Sequence, residues 1–102
     1  MNKLLLSLLW FTSAMFAQDN FTVSGVITDT SNGETAFGAS VYLKDTTIGS
    51  MTNEYGFYSI TAPKGTYTLI VSYIGYASQN IEINLDENKK VNLELSPSNT
   101  TL

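Results

Sequence analysis

The chain has no cysteine, no histidine and no arginine, and only two prolines in 102 residues. Each absence removes a class of explanation. Without cysteine there is no disulfide framework, so a small exported fold has to be held by packing and strand pairing. Without histidine or cysteine, the Ser-His-Asp and Cys-His arrangements of nucleophilic catalysis lack their base and their thiolate. The same absence leaves carboxylates as the sole candidate zinc ligands. Five lysines face nine carboxylates, a formal charge of −4. The basic footprint that nucleic-acid binding needs is therefore missing, and so is a polybasic lipid-surface segment. Acidity of this kind serves solubility rather than acid–base chemistry.

Long hydrophobic runs are also scarce, with one exception at the start. "MNKLLLSLLWFTSAMFAQDN" opens on Lys3, continues through a mostly apolar run from Leu4 to Phe16, and reaches a small residue, Ala17. This is the layout of a secretory signal peptide over residues 1–17, cleaved after Ala17. The run is shorter than the roughly 20 residues a membrane-spanning helix needs. No cysteine lies near the cut, which excludes lipid attachment there. The exported part begins at Gln18 and carries no transmembrane segment. Loss of Lys3 leaves four lysines against nine carboxylates, a charge of −5. A chain of this size forms one domain, and it buries only about 60–65% of its unfolded surface.

What remains has period two throughout, and no window carries the apolar spacing of an amphipathic helix. "FTVSGVITD" (residues 21–29) sets Phe21, Val23 and Ile27 on one face, and the turn cluster "TSNGE" follows. "ASVYLK" (39–44) sets Ala39, Val41 and Leu43 against Ser40, Tyr42 and Lys44. A weaker strand, "TIGSMT", leads through "NEYG" to "FYSI" and the tight connection "APKG". "TYTLIVSY" (66–73) turns Tyr67, Leu69, Val71 and Tyr73 one way. "QNIEINL" (79–85) puts Ile81, Ile83 and Leu85 inside, "DENKK" makes a turn, and "VNLEL" (91–95) ends the pattern. Seven short strands with turn signals every 8–12 residues predict an all-β fold, a seven-stranded antiparallel Greek-key sandwich, with a small barrel as the rival. The sandwich domain spans residues 18–95, and the polar stretch 96–102 is a linker.

Candidate chemistry is sparse. Asp86 and Glu87 are adjacent in a turn and read as a solvated loop. Glu82 and Glu94 lie on strands that, if paired, make a carboxylate row on a wet face; solubility and edge protection are the preferred reading of such a row. "DENKK" and "NEYG" lack the alternating oxygens and terminal glutamate of a calcium loop. No catalytic residue, cofactor-binding residue or metal ligand is assigned, and no cofactor is expected. The most informative stretch is Tyr73-Ile74-Gly75-Tyr76. Glycine within a strand pattern marks a bulge or corner and allows positive φ. Tyr76 then swings over the sandwich edge with its ring packed and its hydroxyl on a polar partner. The alternative is an exposed platform on which Tyr73 and Tyr76 stack against a sugar or a peptide.

Gly25-Val26-Ile27-Thr28-Asp29, Gly33-Glu34, Gly38-Ala39-Ser40-Val41, Thr52-Asn53-Glu54-Tyr55-Gly56, Pro63-Lys64-Gly65-Thr66-Tyr67 and Ser72-Tyr73-Ile74-Gly75-Tyr76 occur in that order. From Val23 to Leu95 the chain resembles the carboxypeptidase-regulatory-like domain, of transthyretin-like (prealbumin-like) type. More narrowly, it is similar to the N-terminal extension of SusC-like TonB-dependent outer-membrane receptors of the Bacteroidetes. Phe37 departs from the proline usual before the Gly-Ala pair. The resemblance implies a non-enzymatic accessory domain at the periplasmic face of the outer membrane, not itself transporting. The role it implies is docking to an envelope protein or to the receptor's plug or barrel, positioning of the TonB-interacting segment, or help in assembly, with β-strand addition as a mode of contact. A free-standing secreted carbohydrate- or protein-binding module is the alternative. Asp45-Thr46-Thr47 resembles a short acceptor motif for O-glycosylation of exported Bacteroidetes proteins, with an Asp-Thr turn as the plain reading. Lys44 is a candidate for the Lys–Asn isopeptide bond of pilin-type sandwiches or simply a surface lysine.

Overall fold

The computed structural model describes residues 19–98. The predicted signal peptide lies outside these residues, as does the end of the predicted linker. The elements are β1 (Asn20–Asp29), β2 (Ser40–Leu43), β3 (Gly49–Met51), β4 (Phe57–Pro63), β5 (Gly65–Ser72), β6 (Gln79–Leu85), β7 (Lys89–Lys90) and β8 (Leu93–Leu95). They form two sheets. One has β1 at its centre, with β4 on one side and β7 and β8 on the other; the second runs β3-β2-β5-β6. The chain crosses between sheets after β1, β3, β4 and β6, so the first and last strands meet as neighbours.

Alternation decides the packing. On β1 every second residue from Val23 is buried, and β4 buries Tyr58, Ile60 and Ala62. From the facing sheet come Val41, Leu43, Leu69, Val71, Ile83 and Leu85, with Leu95 closing the end. These side chains form one core, and full burial of each large aliphatic contributes roughly 1.5–3 kcal/mol. The inward sets predicted for "ASVYLK" and "QNIEINL" occupy this core, although Ile81 is only partly buried.

Three expectations change. The sheet around β1 is mixed, not antiparallel: β7 and β8 both run parallel to β1, pairing Val23 with Lys89 and Ile27 with Leu93. "DENKK" is not wholly a turn, because Lys89–Lys90 is a strand. The "FYSI" strand continues to Pro63, where β4 pairs with Asn20 at the start of β1. Eight strand segments are therefore described, β7 and β8 being two parts of one line along β1.

The break in that line has a physical cause. A Cβ on Gly25 would stand 2.0 Å from the Val91 carbonyl oxygen, so glycine alone admits that backbone. Tyr58 lies opposite Gly25 on β4, and its hydroxyl donates to the same carbonyl at 2.6 Å. With Val91 turned inward, side chains complete the ladder. Asn88 Oδ1 accepts the Thr22 N–H and Asn92 Oδ1 accepts the Val26 N–H, both at 2.9 Å. The Val91 N–H donates to Ser24 O at 2.7 Å.

Candidate functional site

Strand register carries several loops to one end of the sandwich. Ser40 pairs with both Met51 and Ser72, Val26 pairs with Phe57, and Asp29 pairs with Leu95. The connections after β1, β3 and β5, together with the segment after β8, therefore meet at this end. Thr52, buried, ties two of them: its hydroxyl donates to Ala36 O at 2.5 Å and accepts the Ala39 N–H at 2.8 Å. Asn53 shapes the next turn, its Oδ1 accepting the N–H groups of Tyr55 and Phe57 at 2.9 and 3.0 Å. Gly56, at φ 75°, seats its carbonyl on the Ile27 N–H.

The Tyr73-Ile74-Gly75-Tyr76 stretch turns the chain as the glycine predicts. Gly75 sits at φ 88° with open space where a Cβ would be, so conformation and not crowding selects it. The Tyr76 N–H bonds back to Tyr73 O at 3.0 Å. The two rings stack on each other, centroids 5.1 Å apart, and both pack partly against the core. Tyr73 lies past the end of β5, in the corner rather than in the strand. The Tyr76 hydroxyl donates to Asp29 Oδ2. Asp29, buried at the end of β1, also accepts the Ser31 hydroxyl at 2.6 Å and the Ser31 N–H at 2.7 Å. The Ser31 hydroxyl first, then Tyr76 and the Ser31 N–H, hold the Asp29 carboxyl below the usual range, with burial working against them. The bond to Asp29, then burial and the nearby negative charge, raise the Tyr76 phenol above its ordinary value. A carboxylate kept charged and covered in this way anchors the corner.

The last described residues belong to this corner. Ser98 N–H donates to Gly75 O at 2.9 Å, and Ala77 N–H to Ser96 O at 3.0 Å. Around them the surface is apolar: Phe37 is 64% exposed, Met51 64%, Tyr55 69%, Phe57 43% and Ile74 95%. The charged residues of these loops are Glu34 and Glu54. The described lysines lie elsewhere, Lys44 after β2, Lys64 between β4 and β5, and Lys89 and Lys90 beside Val23 and Ser24.

Other candidates from the sequence separate. Glu82 pairs with Thr68 on one sheet and Glu94 with Thr28 on the other, so the predicted carboxylate row does not form. Asp86 and Glu87 are exposed, 3.5 and 4.0 Å from Lys89 Nζ, a surface pairing worth about 0–1 kcal/mol. Asp45, at φ 62°, starts a tight turn in which Thr46 Oγ1 donates to Leu43 O and accepts the Ile48 N–H. Lys44 is exposed. Sequence reasoning missed the exposed apolar end, because Phe37, Met51 and Ile74 follow no period; the placement of Phe37 and Ile74 between strands and of Met51 at the end of a weak one was the available signal.

Residues 23–102 match the family model of the CarboxypepD_reg-like domain. The chain belongs to that family. This CarboxypepD_reg-like domain is 40% identical over 68 residues to the TonB-dependent receptor SusC of Bacteroides thetaiotaomicron, a stretch covering 67% of the chain and 6% of the receptor. It is 33% identical over 78 residues to a TonB-dependent receptor of Formosa agariphila, covering 76% of the chain and 7% of that protein. Bacillopeptidase F of Bacillus subtilis is 36% identical over 66 residues, 63% of the chain and 5% of the protease. The chain thus spans a small fraction of the length of the curated relatives it matches. Among solved structures, a chain of a type II Cohesin-X-Dockerin complex from Acetivibrio cellulolyticus superposes with TM-score 0.69 at 21% identity, covering 80% of this chain and 61% of that one. The 5-hydroxyisourate hydrolase of Klebsiella pneumoniae gives TM-score 0.62 at 22% identity, covering 76% and 91%. At such identity these likenesses establish the β-sandwich fold alone.

Proposed function

We propose that this CarboxypepD_reg-like domain is an exported, non-enzymatic accessory unit of a TonB-dependent outer-membrane receptor. It works on the periplasmic side in docking or assembly and does not itself transport. The observation that carries this reading is the similarity to two TonB-dependent receptors over 67% and 76% of the chain. The apolar end supports it. Five exposed large side chains gathered where the described chain ends make a surface suited to an envelope protein or to the receptor's own plug or barrel. Among the described residues no helix is long and apolar enough to cross a membrane.

Against an enzymatic role stands the chemistry of the chain. It has neither histidine nor cysteine, and among the described residues the carboxylate bonded to hydroxyls, Asp29 with Ser31 and Tyr76, is held charged by those bonds and poorly suited to take up a proton. The alternative, a free-standing secreted module with a tyrosine platform, loses support at the rings: Tyr73 and Tyr76 stack on each other and Tyr76 is bonded to Asp29.

The deciding experiment is an antibody raised against residues 18–102, used on outer-membrane and soluble envelope fractions of the source cells. A band many times larger than 11.2 kDa, confined to the outer membrane, is the expected result. A small soluble band alone overturns the receptor reading in favour of the free-standing module.

A further inference from the structure

A strand at the rim of a sheet exposes a row of unpaired N–H and C=O groups, and folded proteins blunt such rows with breaks, charges or short length. Three of the four rims here are blunted. β3 has three residues. β6 carries Glu82 at its centre, between Asn80 and Asn84. The β7–β8 rim is broken at Val91 and Asn92 and carries Lys89, Lys90 and Glu94. β4 is different: seven residues, Phe57–Pro63, with no charged side chain, no glycine and a proline only at its last position, paired only with β1.

The bonding of β1 shows which groups of β4 face outward. Thr22 and Val26 donate to Asn88 and Asn92, and Ser24 accepts from Val91, so these three residues direct their backbone away from β4. Their partners Thr61, Ser59 and Phe57 are then the non-hydrogen-bonded pairs of an antiparallel ladder and point their own N–H and C=O away from β1. Asn53 takes both groups of Phe57. Ser59 and Thr61 are left as the open donors and acceptors of the rim.

We propose that β4 is a self-recognition edge, and that a second copy of this chain adds to it antiparallel across a twofold axis at Ile60. That register sets Ser59 against Thr61 of the other copy and repeats the pair by symmetry, each pair exchanging both N–H···O bonds. It uses the groups Asn53 leaves open. It also sets the partly exposed Phe57 against Pro63 of the other copy, so every outward contact along the strand is uncharged and self-complementary. This matters for a chain with net charge −4, since β6 in the same arrangement would bring Glu82 towards its own mate. Tyr58, Ile60 and Ala62 stay in their own core, so pairing requires no repacking. A twofold contact consumes both rims and closes at two copies. With so small an interface, a dissociation constant on the order of tens to hundreds of micromolar is expected. The inference does not depend on the receptor reading.

The test is sedimentation velocity of residues 18–102 from about 10 µM to 1 mM, with amide exchange read residue by residue, a range set by the expected affinity. The expected result is a monomer–dimer equilibrium, with Ser59 and Thr61 amides protected about tenfold or more at the high concentration and those of Asn80, Glu82 and Asn84 unchanged. Ser59→Lys with Thr61→Lys, and Ser59→Glu with Thr61→Glu, should each sediment as monomers with near-normal melting temperatures. Their equimolar mixture should dimerise, because Lys then faces Glu. A wild-type chain that stays monomeric at 1 mM overturns the proposal, whatever the variants do. So does a dimer that survives in both charged variants, or a mixture that fails to associate. Protection of Ser59 and Thr61 found only in intact envelope fractions would assign the edge to a different chain and equally defeat self-pairing.

Discussion

Gly25 and Tyr58 behave as one unit. The glycine leaves room for the Val91 carbonyl, and the phenol opposite supplies the hydrogen bond that a buried carbonyl requires. Gly25→Ala should therefore destabilise by about 2–4 kcal/mol, because the clash is with backbone and cannot be relieved by a rotamer change. Chemical denaturation of the two proteins measures it. Tyr58→Phe should cost about 1–2 kcal/mol for the orphaned carbonyl. Burial pushes the Tyr58 phenol up to about 12. An unfolded tyrosine ionises near 10, so the unfolded state loses its proton first. The stability tied to that proton is complete below about pH 9 and is lost as pH rises from about 10 through 12. Tyr58→Phe should flatten this part of the stability curve. Asp29 acts at the other extreme. Its folded pKa lies below an unfolded value near ~3.9, so its contribution is complete above about pH 5 and falls away as pH drops through that value towards the lower folded one. Tyr76→Phe, by removing one of the bonds that depress Asp29, should weaken this acid dependence in a urea series between pH 2 and 6.

At the scale of the element, alternation proved readable wherever one face was dry. β2 buries the residues that period two assigns and β6 turns them inward, Ile81 only partly, and the turn chemistry of Gly75 was legible because positive φ there has no ready substitute. The parallel line along β1 was not legible. Nothing local in "DENKKVNLEL" distinguishes a parallel from an antiparallel neighbour, and its asparagines look like turn residues until β1 lies beside them. Asn88 and Asn92 in fact stand in for missing ladder bonds. Asn88→Ala and Asn92→Ala should each cost about 0.5–1.5 kcal/mol. They should also speed exchange of the Thr22 and Val26 amides, respectively, leaving Ser24 as it was.

For the whole molecule, the pairing of first and last strands makes stability indivisible. Leu95 is buried in the core, and the segment after it bonds to the Gly75 corner. A chain truncated after Asn92 should lose cooperative unfolding in a thermal melt, since it exposes one face of the core and the rim of β1 together. Intact, the domain should show one transition and a stability of about 5–10 kcal/mol without any disulfide. Because its pairings are non-local, refolding after denaturant dilution should take milliseconds to seconds.

Composition and period determined a good deal by themselves: an all-β chain, its inward faces, the corner glycine, and the absence of imidazole and thiol chemistry. These are properties of single residues or of neighbours two apart, which physical chemistry reads without knowing the partner. Tertiary structure alone decided the rest. It separated Glu82 from Glu94, set β7 and β8 parallel to β1, gathered Phe37, Met51, Tyr55, Phe57 and Ile74 at one end, and left β4 as the unprotected rim. Each of those facts depends on which distant strand lies alongside, and strand alternation is the same whichever neighbour a strand takes.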